Sequence, residues 1–115
     1  VLIATSEAEE LFGIDADLVM KPALIARGGK VCWENVDCVS WGNYKGSATS
    51  PSPTGSPFNP KEGLVLDSAI ERSVEGGMIP ASIDAEDDTD DSAADFALAD
   101  PSPTNNARET GQPPP

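Results

Sequence analysis

At 115 residues, with a formal charge of −13, 38% hydrophobic residues and 5% aromatics, the chain supports one domain with a modest core. A surface this acidic repels phosphate backbones and anionic lipid, which argues against nucleic-acid and membrane-surface roles. No apolar run reaches membrane-spanning length, and eleven prolines point to many turns rather than long helices.

In chain order, Val1 to Thr5 (VLIAT) is β-prone and opens without Met, which suggests a processed or excised piece of a longer secreted protein. Ser6 is placed as an N-cap with Glu9 completing a capping box. Ala8, Leu11 and Phe12 then give a short helix an apolar stripe, and Gly13 stops it. Ile14 to Met20 adds a further turn or a loop, and Pro22 limits any helix. Ala23 to Ala26 is a strand candidate, and Gly28-Gly29 a turn or bulge.

Val31 to Trp41 (VCWENVDCVSW) reads as a β-hairpin closed by a Cys32–Cys38 disulfide. A three-residue loop, Glu34 to Val36, sets Trp33 opposite Asp37 and Cys32 opposite Cys38. Paired residues share a face and successive residues alternate, so Val31, Trp33, Val39 and Trp41 fall on one side. Lys30, Cys32, Cys38 and Ser40 fall on the other. A four-residue loop would separate the cysteines and mix polar with apolar positions, so the odd loop is favoured twice. The expectation is that the tryptophans pack inward, with the bridge on the polar side. Such a bridge also implies an oxidising compartment, hence secretion or surface display.

Gly42-Asn43-Tyr44 ends the strand at a glycine bend. Residues 47–63 carry Pro51, Pro53, Pro57 and Pro60 and read as a long exposed loop. Leu64 to Val74 is the next strand candidate, with Leu64, Leu66 and Ile70 as core positions and Gly76-Gly77 as its break. Residues 84 to 100 hold eight acids and no base. Ala94 to Ala99 is a short strand carrying Phe96 and Leu98. From Pro101 the chain turns Pro-rich, as in an interdomain linker.

The chain has no histidine, which removes Ser-His-Asp and Cys-His nucleophilic sites, and a disulfide would occupy both thiols. The reading is therefore of a chain that is not an enzyme. One stretch, residues 84–95 (DAEDDTDDSAAD), spaces oxygen side chains in the manner of an EF-hand loop, with Asp84, Glu86, Asp88, Asp90, Ser92 and Asp95 as calcium candidates. Thr89 stands where that loop wants glycine, and Asp95 is shorter than the usual closing glutamate. The competing reading is an acidic loop whose Asp and Ser side chains cap their own turns, with no cofactor. Trp33, Trp41 and Tyr44 offer an aromatic platform for a ligand, set against ordinary core packing.

Four pieces occur in order: VLIATSEAEELFGI, GGKVCWENVDCVSWGNY, SPTGSPFNPKEGLVLDSAIERSV and DDTDDSAADFALADPSPTNNA. Together they resemble the later part of bacterial lamin-tail-like domains over nearly all of residues 1–108. The resemblance implies an immunoglobulin-like β-sandwich, here incomplete, mostly β with one short N-terminal helix. In that family other strands precede the stretch like VLIAT, so the domain, 1–108, is expected to be truncated at its N-terminus, with 109–115 opening a Pro-rich linker. The family brings no established catalytic residues.

The function expected is a non-catalytic extracellular structural or interaction module of a larger secreted or surface bacterial protein. Its partners would be a protein or cell-surface partner and the neighbouring domains of the same polypeptide, with no nucleic acid and no membrane insertion. The alternatives are a calcium-stabilised binding module using residues 84–95, and an accessory domain of a secreted hydrolase or nuclease.

Overall fold

The computed structural model describes residues 2–21, 24–74, 79 and 81–112. The regular structure is mostly strand, with few helical residues, and the strands form small two-stranded sheets. It divides into two compact units, residues 1–24 with 100–115 and residues 25–99.

In the first unit, β1 (Ile3–Ala4) pairs in parallel with β2 (Leu18–Val19). Between them runs α1 (Ser6–Phe12). Its N-cap is Thr5, whose hydroxyl accepts from Ala8 N at 3.2 Å, one residue earlier than the expected Ser6. Thr5 wins because its backbone is extended while Ser6 is already helical. The Glu9 carboxylate reaches forward to Ala16 N at 2.7 Å instead of closing a capping box. Gly13 ends the helix as expected, in the left-handed region at φ 61°, with its N–H on Glu9 O. Leu11 is exposed, and among the described residues Ile14 is the buried apolar side chain of this unit. The chain's later residues close the unit: Gln112 N donates to Phe12 O at 3.0 Å, and the Asn105 amide donates to Asp15 O at 2.9 Å. Asn105 and Glu109 exchange hydrogen bonds in both directions. Residues 113–115 lie outside the described residues.

In the second unit, β3 (Gly28–Trp33) and β4 (Asp37–Gly42) form the antiparallel hairpin. Its register is the expected one, with Trp33 opposite Asp37 and Cys32 opposite Cys38, and the disulfide is formed. Gly28 and Gly29 belong to the ladder rather than to a turn, opposite Gly42 and Trp41. Both positions need glycine. A side chain at Gly29 would strike the Trp41 ring, and one at Gly28 would strike the Asn43 amide. Of the strand expected at 23–26, Ala23 lies outside the described residues, and Leu24 to Ala26 are not strand.

Next, β5 (Ala69–Arg72) and β6 (Phe96–Ala99) pair antiparallel, with Arg72 opposite Phe96. The strand expected over 64–74 thus shrinks to four residues, and Leu66 is 87% exposed rather than core. Asp67, at φ 60°, turns the chain just before β5 and keeps Leu66 out of the ladder. Likewise Ala94 and Asp95, expected in the last strand, lie in the one-turn helix α2 (Ser92–Asp95) capped by the Asp91 side chain. The break expected at Gly76-Gly77 lies outside the described residues.

Candidate functional site

The hairpin is the element best built to present a surface. Its two edges differ. Along β4, Ser40 N donates to Ser92 Oγ at 3.0 Å, Ser40 O accepts from Phe58 N at 2.9 Å, and Gly42 N donates to Phe58 O at 2.8 Å. The Pro-rich loop therefore covers this edge, and Ser52 and Thr54 are buried rather than exposed as the proline content suggested. Proline cannot sustain a ladder, but isolated bonds from Thr54 and Phe58 suffice to lay the loop down.

The covered edge fixes the state of the other. In an antiparallel ladder each residue points both backbone groups to one side, and opposed residues do so in concert. Ser40 and Gly42 point away from β3, so their partners Lys30 and Gly28 point away from β4. Cys32 follows by alternation. Among the described residues no group bonds the outward N–H and C=O of Gly28, Lys30 and Cys32. β3 is an open edge.

The faces also sort differently from expectation. Trp41 is buried, 2% exposed, with its ring against Gly29 and its Nε1 donating to Ile25 O at 2.9 Å. Trp33, however, is 49% exposed, and Val31 and Val36 are exposed beside it. The buried face is the one bearing the bridge, with Cys38 and Ser40 at its centre. Which face is covered depends on where the 47–63 loop lies, and strand alternation carries no information about that. The Lys30 ammonium reaches the same loop, donating to Ser47 O at 2.8 Å and Ser50 O at 2.6 Å, with Tyr44 alongside at 5.8 Å.

The acidic stretch is organised around an arginine. The Arg72 guanidinium lies 2.7 Å from Asp37 Oδ2, donates to Asp87 O at 3.2 Å, and sits 3.5 Å from both Asp88 Oδ1 and Asp95 Oδ2. It also covers the Phe96 ring at 4.7 Å, a cation–π contact set by the cross-strand pairing. Arg72 is the single base between Lys61 and Arg108, and that isolation was the available signal of its role.

The calcium candidates are dispersed among other tasks. Asp84 accepts from Ile79 N and Glu86 N, in a capping box with Asp87 across the 3-10 turn at Ala85–Asp87. Asp88 accepts from Asp90 N, and Ser92 Oγ holds Ser40 N. Asp95, nearly buried, accepts from Thr89 N at 2.9 Å and Thr89 Oγ1 at 2.6 Å. Glu86 and Asp90 are exposed, and Asp90 rather than Thr89 takes the left-handed turn, at φ 59°. Among the described residues no group of three or more acids, cysteines or histidines is arranged to hold a metal ion. Three buried oxygens lack a partner there: Ser40 Oγ, Thr54 Oγ1 and Asp87 Oδ1.

No helix among the described residues is long and apolar enough to cross a membrane. Compared with known protein families, characterised proteins and solved structures, the chain matches none.

Proposed function

We propose that the chain is a non-catalytic extracellular interaction module of a larger secreted or surface protein, an incomplete immunoglobulin-like sandwich of the lamin-tail-like kind. The observation that carries this is the open edge of β3, flanked by the exposed Trp33 and Val31 and locked in register by the Cys32–Cys38 bridge. An unpaired strand edge is a template for another chain, supplying ladder hydrogen bonds for affinity and alternate side chains for selectivity. The bridge is compatible with an oxidising, extracellular setting.

The test places a photoreactive side chain at Val31, with a control at the exposed Ala97 of β6. Irradiation is done in the medium around producing cells. Cross-linking to a defined macromolecule from Val31 and not from Ala97 is the expected result. No product, or equal products from both positions, refutes the reading.

A further inference from the structure

We infer that the Pro-rich loop is fastened to the outer edge of β4 through one internal water, held among the hydroxyls of Ser40, Thr54 and Ser92. This seam lies on the covered edge of the hairpin, so it stands whatever occupies the open edge of β3. Two of its oxygens, Ser40 Oγ and Thr54 Oγ1, are buried and make no hydrogen bond within the protein. Their residues are 0% and 1% exposed, so neither hydroxyl reaches bulk solvent. A buried hydroxyl left unpaired is destabilising, and native proteins pair nearly all of them with protein groups or ordered water.

Ser92 joins the two residues. Its Oγ accepts from Ser40 N at 3.0 Å, and its N–H donates to Thr54 O at 2.6 Å. The Ser92 hydroxyl keeps its own proton to donate. β4, the 47–63 loop and α2 thus bring one buried hydroxyl each to the same seam. Ser40 Oγ and Thr54 Oγ1 do not bond each other, so what joins them has to both donate and accept. Water does so, and internal waters typically make about three hydrogen bonds, one for each hydroxyl here. A metal ion fits poorly, because the hydroxyls are neutral and the neighbouring carboxylates are engaged. Asp91 Oδ1 accepts from Ser56 N and Ala93 N, and Asp95 accepts from Thr89. Prolines prevent the loop from pairing continuously along β4, and the water adds the cross-links that a ladder would otherwise supply.

The experiment is oxygen-17 relaxation dispersion of the solvent around the folded protein, which counts long-lived internal waters. Wild type is compared with Ser40→Ala/Thr54→Val, which removes both orphaned hydroxyls, and with Thr49→Val at an exposed position of the same loop. The expected result is an amplitude lower by one water in the double variant and unchanged in Thr49→Val. Urea midpoints give a second readout. If one water serves both hydroxyls, removing the second costs less than removing the first, so the combined loss is smaller than the sum of the single losses. Near-ultraviolet dichroism from the buried Trp41 confirms that each variant is folded. Thr54→Val alone, nearly isosteric, carries the same dispersion comparison if the double variant does not fold. An amplitude equal to that of wild type overturns the inference, because no water is then held at the seam. Additive losses overturn it as well, because the hydroxyls then share nothing.

Discussion

Arg72 Nη2 lies 2.7 Å from Asp37 Oδ2, so the last residue of β5 is tied to the first residue of β4 across 35 positions of sequence. The same guanidinium serves Asp87 O and faces the nearly buried Asp95. Removing it leaves Asp95 in a poorly solvated site without its counter-charge, the costly way to break an ion pair. Arg72→Ala is expected to cost about 3 kcal/mol. The measurement is the urea midpoint at unchanged slope, and a loss below about 1 kcal/mol would mean that the pair acts as an exposed surface bridge.

That geometry also predicts the response to calcium. Asp84, Asp88 and Asp95 each accept from backbone donors, and Arg72 supplies the cation that the loop surrounds. Millimolar calcium is expected to leave the melting temperature unchanged, as is a chelator added to the purified protein. A rise of several degrees with calcium, reversed by chelator, would establish a site that the present arrangement does not display.

The hairpin register was legible because loop parity, cysteine spacing and apolar segregation all select Cys32 opposite Cys38. The burial of its faces was not. Trp33 and Trp41 share a face by alternation, yet one is half exposed and the other buried. What separates them is non-local: Gly29 makes room for the Trp41 ring, and the Phe58 segment lies along β4. The helix was legible to within one residue of its cap because caps are local chemistry. Arg72 was missed because its partners lie at 37, 87, 88 and 95, and no short window contains them.

Two glycines with the same backbone angle separate strain from crowding. Gly13 and Gly42 both have φ 61°. A Cβ at Gly13 meets nothing within 4 Å, whereas one at Gly42 runs into the Arg27 carbonyl. Gly13→Ala is therefore expected to cost about 1 kcal/mol, the left-handed penalty alone. Gly42→Ala must also displace the Arg27 backbone, whose carbonyl accepts from Asn43 N, and is expected to cost more than about 3 kcal/mol. Equal losses in paired denaturation curves would show that the hairpin base yields freely.

Asp17 should contribute to the acid sensitivity of the first unit. Its carboxylate accepts from Leu2 N at 2.7 Å and from Asn106 N at 2.9 Å, and these bonds, that from Leu2 first, hold its pKa below the ordinary 3.8 against partial desolvation. A carboxyl group depressed on folding contributes stability that is present above its unfolded pKa. That contribution disappears as pH falls through the lower, folded value. The carboxyl resonance of Asp17 should titrate below pH 3.8, with amide protection at Leu2 and Asn106 fading in the same range. A midpoint at or above 3.8 contradicts the assignment, and Asp17→Asn should remove that part of the pH dependence.

The bridge and the exposed tryptophan of the hairpin should separate cleanly in stability. Cys32 and Cys38 close a short loop, with a sequence separation of 6. In the chain-entropy account, reducing it costs about 2 kcal/mol, chiefly by freeing the unfolded chain. Cys38 is buried, so replacing both residues with alanine also opens packing on the covered face and should cost somewhat more. Trp33→Ala, on the open face, should cost only about 0.5 kcal/mol. Denatured, unreduced protein should show no reactive thiol, and two after reduction. A large loss from Trp33→Ala in dilute monomer would mean that the indole supports the fold itself, and the open edge of β3 would then lose its apolar flank as a docking surface.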